Sequence, residues 1–126
     1  MKIYLIDDDD VFNYLHESVI KSILPYAQFF IFKSGLEFLS SFQENAATNP
    51  EPDFVFLDIR MPDMDGFNLL EEMEKLPQHP FLKAKVYVLS STLDERDLEK
   101  AKSFSCVTDF IGKPLTIELC STLFSV

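Results

Sequence analysis

Asp7, Asp8, Asp58, Ser90 and Lys113 are the side chains of this sequence whose types and spacing suit joint chemistry. Three carboxylates brought within a few ångströms repel one another unless protons or a cation join them. Hard oxygen ligands suit Mg²⁺, which takes one or two carboxylates together with water and phosphate oxygens. A carboxylate nucleophile, a metal, a hydroxyl donor and an ammonium are the parts that phosphoryl transfer needs. On that reading Asp58 attacks phosphorus and becomes an aspartyl phosphate, while the metal and Lys113 neutralise the phosphoryl oxygens.

These residues do work together only if the chain folds them to one place, and the local patterns say how. Phe54-Val55-Phe56-Leu57 is an unbroken apolar run that stops at Asp58. It reads as a short buried strand whose last residue points into a crevice. The turn beyond holds Arg60, Met61, Pro62, Asp63, Asp65 and Gly66, and Phe67, Leu70 and Met73 then begin a helical spacing. Ile3-Tyr4-Leu5-Ile6 is a second such run, and it ends in Asp7 to Asp10. Asp7 and Asp8 are expected at the crevice, and Asp9 and Asp10 as a helix cap favourable to its dipole.

Phe12, Leu15, Val19 and Ile23 mark the buried face of the first helix, which Pro25 stops. Ala27 to Phe32 reads as a strand. Ser34 to Glu37 fits a capping box, followed by Leu36, Leu39 and Phe42 on one helix face. Residues 45–52 and 76–80 read as breaks. Val86 to Leu89 is a fourth strand, ending in Ser90-Ser91-Thr92, and Thr92 to Glu95 is a further capping box, before Leu98, Ala101 and Phe104. Cys106 to Ile111 is a fifth strand, with Gly112-Lys113-Pro114 beyond it. Thr116 caps a last helix with Ile117, Cys120 and Phe124 on one face.

Strands that alternate with helices in this way imply an α/β fold: a parallel sheet with helices on both faces. Right-handed crossovers leave few topologies. A flavodoxin-like, doubly wound (βα)5 domain with strand order 2-1-3-4-5 makes strands 1 and 3 neighbours. Asp7, Asp8 and Asp58 then share one crevice at the carboxyl edge, to which strand 4 brings Ser90 and strand 5 brings Lys113.

In that arrangement the chain resembles the response-regulator receiver domains of two-component signalling, over essentially all of its 126 residues. The resemblance rests on Asp7-Asp8, Asp58 with Met61-Pro62 and Asp65-Gly66, Ser90, and Lys113-Pro114, each at the end of its own strand. It implies that Asp58 accepts a phosphoryl group from a phosphohistidine of a sensor histidine kinase or a histidine phosphotransfer protein. It implies that Mg²⁺, with Mn²⁺ as a substitute, binds Asp8, Asp58 and the backbone carbonyl of Arg60, with Asp7 helping through water. It further implies that Ser90 closes onto the phosphoryl group, that Lys113 pairs with it across a cis Lys113-Pro114 bond, and that Phe110 is a switch aromatic. Arg60 and Thr92 fall at positions that tune how long the phosphate lasts. The fourth helix, fifth strand and fifth helix, roughly Asp94 to Phe124 with Arg96, Lys100 and Lys102, form the family's usual reader surface. The downstream partner is a protein of unknown identity, and monomer and phosphorylation-dependent dimer both stay open.

Composition narrows the alternatives. The length is that of one domain, residues 1–126, with no output domain expected. A net charge of -10 disfavours direct nucleic-acid binding and an anionic membrane surface. Cys106 and Cys120 lack metal-ligand spacing and read as buried reduced thiols. No signal peptide or membrane span is visible, so the expected compartment is the cytoplasm. Asp63, Asp65, Gly66 and Glu72 imitate part of a calcium-binding loop, but Met61 would stand at its first ligand position. An aspartyl phosphatase would want a general acid where Arg60 stands. The alternative that stays is a pseudo-receiver that binds its partner without phosphorylation.

Overall fold

The computed structural model describes residues 1–45, 50–76 and 79–126. Most of the expected breaks at 46–49 and at Pro77-Gln78 thus lie outside the described residues. Ten elements alternate: β1 (Lys2–Ile6), α1 (Asp10–Ile23), β2 (Gln28–Phe32), α2 (Gly35–Asn45), β3 (Phe54–Asp58), α3 (Gly66–Glu74), β4 (Lys85–Ser90), α4 (Glu95–Lys102), β5 (Val107–Gly112) and α5 (Ile117–Phe124). The sheet is wholly parallel in the order β2-β1-β3-β4-β5. This is the flavodoxin-like topology that the alternation implied.

β3 lies at the centre and is buried along its whole length. Side chains alternate across it because successive residues of a strand face opposite ways. Val55 and Leu57 join Tyr4, Ile6, Val86 and Val88 in a core with Phe38, Phe67, Leu70 and Met73 of α2 and α3. Phe54 and Phe56 join Ile3, Leu5, Tyr87, Leu89 and Ile111 in a second core under Ile20 of α1 and Cys120 and Phe124 of α5. Aromatic rings fill both. Tyr4, Phe32, Phe42 and Phe81 surround Phe38. Phe124 meets Phe54 edge-on at a centroid distance of 4.6 Å. A register shift between β4 and β5 at Val86/Tyr87 leaves the Val86 N–H to the hydroxyl of Thr108, 3.2 Å away. This is how a bulge keeps a ladder donor satisfied.

Several helix faces and caps differ from those expected. α1 buries Asn13, His16 and Ile20, whereas Leu15 is exposed and Phe12, Val19 and Ile23 are only half-buried. Its inward stripe is therefore rotated by about one residue from the apolar one, and two polar side chains occupy it. In α2 Phe38 is buried, and Leu36 faces outward. In α5 Cys120 and Phe124 are buried but Ile117 is exposed. The cap of α4 is Asp94, which accepts from the Arg96 N–H at 2.8 Å; Thr92 lies outside the helix. Cys106 is half-buried, whereas Cys120 is fully so. The Asp9 and Ser34 caps are as expected. Among the described residues no helix is long and apolar enough to cross a membrane.

Candidate functional site

Four strand ends meet at the carboxyl edge of the sheet. Asp7 follows β1, Asp58 ends β3, Ser90 ends β4 and Lys113 follows β5. Asp7, Asp58 and Ser90 are buried and Asp8 is exposed. Parallel pairing puts them together, because every strand of a parallel sheet delivers its carboxyl end to the same side.

One carboxylate oxygen from each of Asp7, Asp8 and Asp58 falls within 4.8 Å of the others. The ammonium of Lys113 lies 2.7 Å from Asp7 Oδ2 and 3.4 Å from Asp58 Oδ1, with all three side chains 4% exposed. Phe12 of α1 lies beneath that ammonium, 4.2 Å from Nζ to the ring centroid. A cation over an aromatic face is attracted by the ring quadrupole. Lys113 is thus fixed from both sides, and the Lys113-Pro114 bond is cis.

Backbone donors hold the carboxylates in place. The Asp9 N–H donates to Asp7 Oδ1 at 2.9 Å, and Asn13 Nδ2 donates to the Asp7 carbonyl at 2.9 Å. The Arg60 N–H donates to Asp58 Oδ1 at 3.3 Å. Asp7 Oδ2 is buried and meets the Lys113 ammonium as an ion pair, with no further hydrogen-bond donor among the described residues. Burial and the neighbouring Asp7 push the Asp58 carboxyl up to about 6, against the opposing pull of Lys113 and the Arg60 N–H. An acidic cluster with two buried carboxylates and an exposed third fits a hard divalent cation such as Mg²⁺, for which carboxylate oxygens are the preferred ligands.

The turn after Asp58 is set by Gly66. A Cβ there would lie 2.6 Å from the Asp58 carbonyl oxygen and 3.0 Å from the Ile59 Cα. The Gly66 N–H donates to the Ile59 carbonyl at 3.1 Å, and Asp65 caps α3 in a reciprocal box with Asn68. The glycine is required for close backbone approach, since its φ is not positive.

Ser90 Oγ accepts from the Thr92 N–H at 3.1 Å, and the Ser90 carbonyl accepts from the Lys113 N–H at 2.8 Å. Thr92 itself is exposed. Phe110 is half-buried and lines a small open cavity with Leu93, Asp94, Glu95 and Leu98. Arg60 is exposed, and its guanidinium is paired with Asp97 of α4 at 2.6 Å. On the α4 surface, Arg96 leans on Asp94 at 3.4 Å and Lys100 lies over the Phe67 ring at 5.1 Å, while Lys102 is exposed.

Sequence reasoning missed three contributors. His16 is 2% exposed and its Nε2 accepts from the Leu115 N–H at 3.2 Å, just past Lys113-Pro114. Asn13 holds the Asp7 backbone, and Asp97 holds Arg60. A signal existed for the first two: Asn13, His16 and Ile20 share one helical face, so polar residues on an inward stripe could have been read as ligands of neighbouring loops. Asp97 carried none, because its partner is 37 residues away.

Fold and site together define a class: a parallel α/β domain with an acidic crevice and a lysine at the switch point of the sheet. The chain belongs to the response regulator receiver domain family, which it matches over residues 3–123. It is 30% identical to a two-component response regulator from Cytophaga hutchinsonii whose crystal structure superposes with a TM-score of 0.86, covering 98% of this chain and 93% of that one. It is 32% identical to the DNA-binding transcriptional regulator NtrC of Klebsiella pneumoniae over 115 residues, which are 91% of this chain and 22% of that protein. It is 26% identical to the cyclic di-GMP phosphodiesterase response regulator RpfG of Xanthomonas campestris, over 91% of this chain and 28% of that protein. The chain therefore spans about a quarter of the length of these two curated relatives.

Proposed function

We propose that this receiver domain is a Mg²⁺-dependent phosphorylation switch whose acceptor is Asp58. The observation that carries this reading is the meeting of Asp7, Asp8 and Asp58 within 4.8 Å beside the Lys113 ammonium. An Asp58 oxygen attacks the phosphorus of a phosphohistidine, and the P–N bond breaks with its electron pair leaving to the imidazole. Lys113, already between Asp7 and Asp58, balances the negative charge of the transferred group. Asp8, Asp58 and the Arg60 carbonyl, with Asp7 behind, would hold a divalent cation, which would supply further neutralisation of phosphoryl oxygens. Mn²⁺ would serve in the same place; a response regulator named Rcp1, 20% identical to this chain, is described in its Mn²⁺-bound form.

Ser90 contributes its hydroxyl to the transferred group by leaving the Thr92 N–H, and Phe110 follows it inward. Phosphorylation then shifts a two-state equilibrium and alters the α4-β5-α5 face for a partner protein. The donor is a sensor histidine kinase or a histidine phosphotransfer protein. Residues 1–126 act as one unit, as a phospho-acceptor and not as an enzyme with an external turnover. The free thiols Cys106 and Cys120 agree with a reducing compartment such as the cytoplasm.

The test is intact-protein mass after incubation with acetyl phosphate and Mg²⁺, with Asp58→Asn and a Mg²⁺-free sample alongside. One added phosphoryl group in the wild type alone is the expected result. No gain in the wild type, with no capture of beryllofluoride either, would leave only the pseudo-receiver.

A further inference from the structure

Arg60 stands two residues after the acceptor, yet its side chain is engaged elsewhere. Its backbone N–H donates to Asp58 Oδ1, while its guanidinium is held by Asp97 Oδ2 at 2.6 Å. Asp97 lies in the first turn of α4 and its side chain is 15% exposed, against 63% for Arg60. The same guanidinium helps to hold Asp94, the cap of α4, below the usual carboxylate range, behind the backbone N–H and side chain of Arg96. A cation near a helix N-terminus opposes the helix dipole. Asp97 and Asp94 offset that opposition, so Arg60 stays there only while those acids outbid other anions.

Phosphorylation of Asp58 would supply such an anion. The carboxylate carries one negative charge, and an acyl phosphate in its place carries about two, on oxygens that accept strongly. Lys113 is buried and already spans Asp7 and Asp58. Arg60 is an exposed cation at this edge, joined by its backbone to Asp58 and, among the described residues, held by its pair with Asp97.

We propose that Asp97 is a positioning residue that keeps the Arg60 guanidinium on α4 in the unphosphorylated state, and that Arg60 exchanges Asp97 for the phosphoryl oxygens when Asp58 is modified. The exchange links chemistry at the end of β3 to the first turn of α4, part of the proposed reader surface. It also gives Arg60 a concrete role in setting phosphate lifetime. The inference rests on the phosphorylation reading above.

The experiment is a double-mutant cycle with beryllofluoride and Mg²⁺ as the probe, on wild type, Asp97→Asn, Arg60→Gln and the double variant. Breaking an exposed pair shifts an equilibrium modestly, so Asp97→Asn is expected to tighten beryllofluoride binding about two- to fivefold. Arg60→Gln weakens it, and Asp97→Asn has no further effect in that background. Amide exchange across Glu95–Lys102 gives the structural readout. It should quicken when the wild type binds beryllofluoride, and be quick without the probe in Asp97→Asn. Equal affinity for wild type and Asp97→Asn, or a persistent Asp97→Asn effect in the Arg60→Gln background, overturns the inference alone. A wild type that binds Mg²⁺ but never captures beryllofluoride overturns the phosphorylation reading and this inference with it.

Discussion

Gly66 lies against the backbone of Asp58 so closely that a Cβ would meet the Asp58 carbonyl oxygen at 2.6 Å. The first residue of α3 and the last of β3 are thereby packed backbone to backbone. Neither group is a flexible side chain end, so the contact cannot relax cheaply. Gly66→Ala is expected to cost about 1–3 kcal/mol, the range for overpacking a tight site. Denaturant unfolding measures that cost. Mg²⁺ affinity should fall with it, because the displaced backbone carries the Asp58 carboxylate, the proposed acceptor.

Lys113 is the cation that lets two buried carboxylates face one another. Lys113→Met leaves Asp7 and Asp58 without it, and a buried charge that loses its partner costs several kcal/mol. The loss should be greatest near pH 8, where Asp58 is ionised, and smaller near pH 5, where Asp58 holds a proton. Added Mg²⁺ should restore more stability to this variant than to the wild type. Thermal melts at the two pH values, with and without Mg²⁺, check all three statements. Phosphoryl uptake should drop at least about tenfold, since electrostatic stabilisation of this type is a large catalytic factor.

With Asp58 as a metal ligand, as proposed, proton and metal should compete there. Its carboxyl is pushed up to about 6 by burial and by Asp7. Below that pH the folded protein holds a proton that Mg²⁺ must displace, so Mg²⁺ affinity should fall about tenfold per pH unit under about pH 6. The stability sign is opposite. Between about 4 and 6 the folded state binds more protons than the unfolded one, so this carboxyl contributes stability at low pH that is lost as pH rises through 6. Asp58→Asn should abolish that loss and make the metal-free protein more stable at neutral pH. Calorimetric titration of Mg²⁺ and urea unfolding between pH 5 and 8 test the pair.

His16 responds the other way. Burial, and then the charge of Lys113, lower it from 6.5 to about 4. It is neutral in the fold, as its bond from the Leu115 N–H requires. Between about 6.5 and 4 the unfolded chain takes up a proton that the folded one refuses, so stability falls as pH falls through that window. The shift corresponds to about 3 kcal/mol. His16→Gln should flatten this part of the pH profile by a similar amount while keeping an acceptor for Leu115.

Much of this molecule could be read from short stretches of its sequence. The apolar runs that end at Asp7, Asp58 and Ser90 are strands because a fully buried strand needs no polar alternation. Parallel order then forces their ends to one edge, so the acidic cluster and Lys113 follow from pattern and topology. Helix faces were less legible. Leu36 and Leu15 look inward by type, yet Phe38 and His16 are the buried residues. A helix turns whichever face completes the packing beneath it, and hydrophobic type alone does not say which. Only the tertiary structure decided that the Phe12 ring supports Lys113, that His16 ties the loop before α5, and that Arg60 is held by Asp97. Each joins residues far apart in the chain through a single directional contact. Such contacts leave no period in the sequence, since periodicity records burial of a surface and not the partner that a polar group finds.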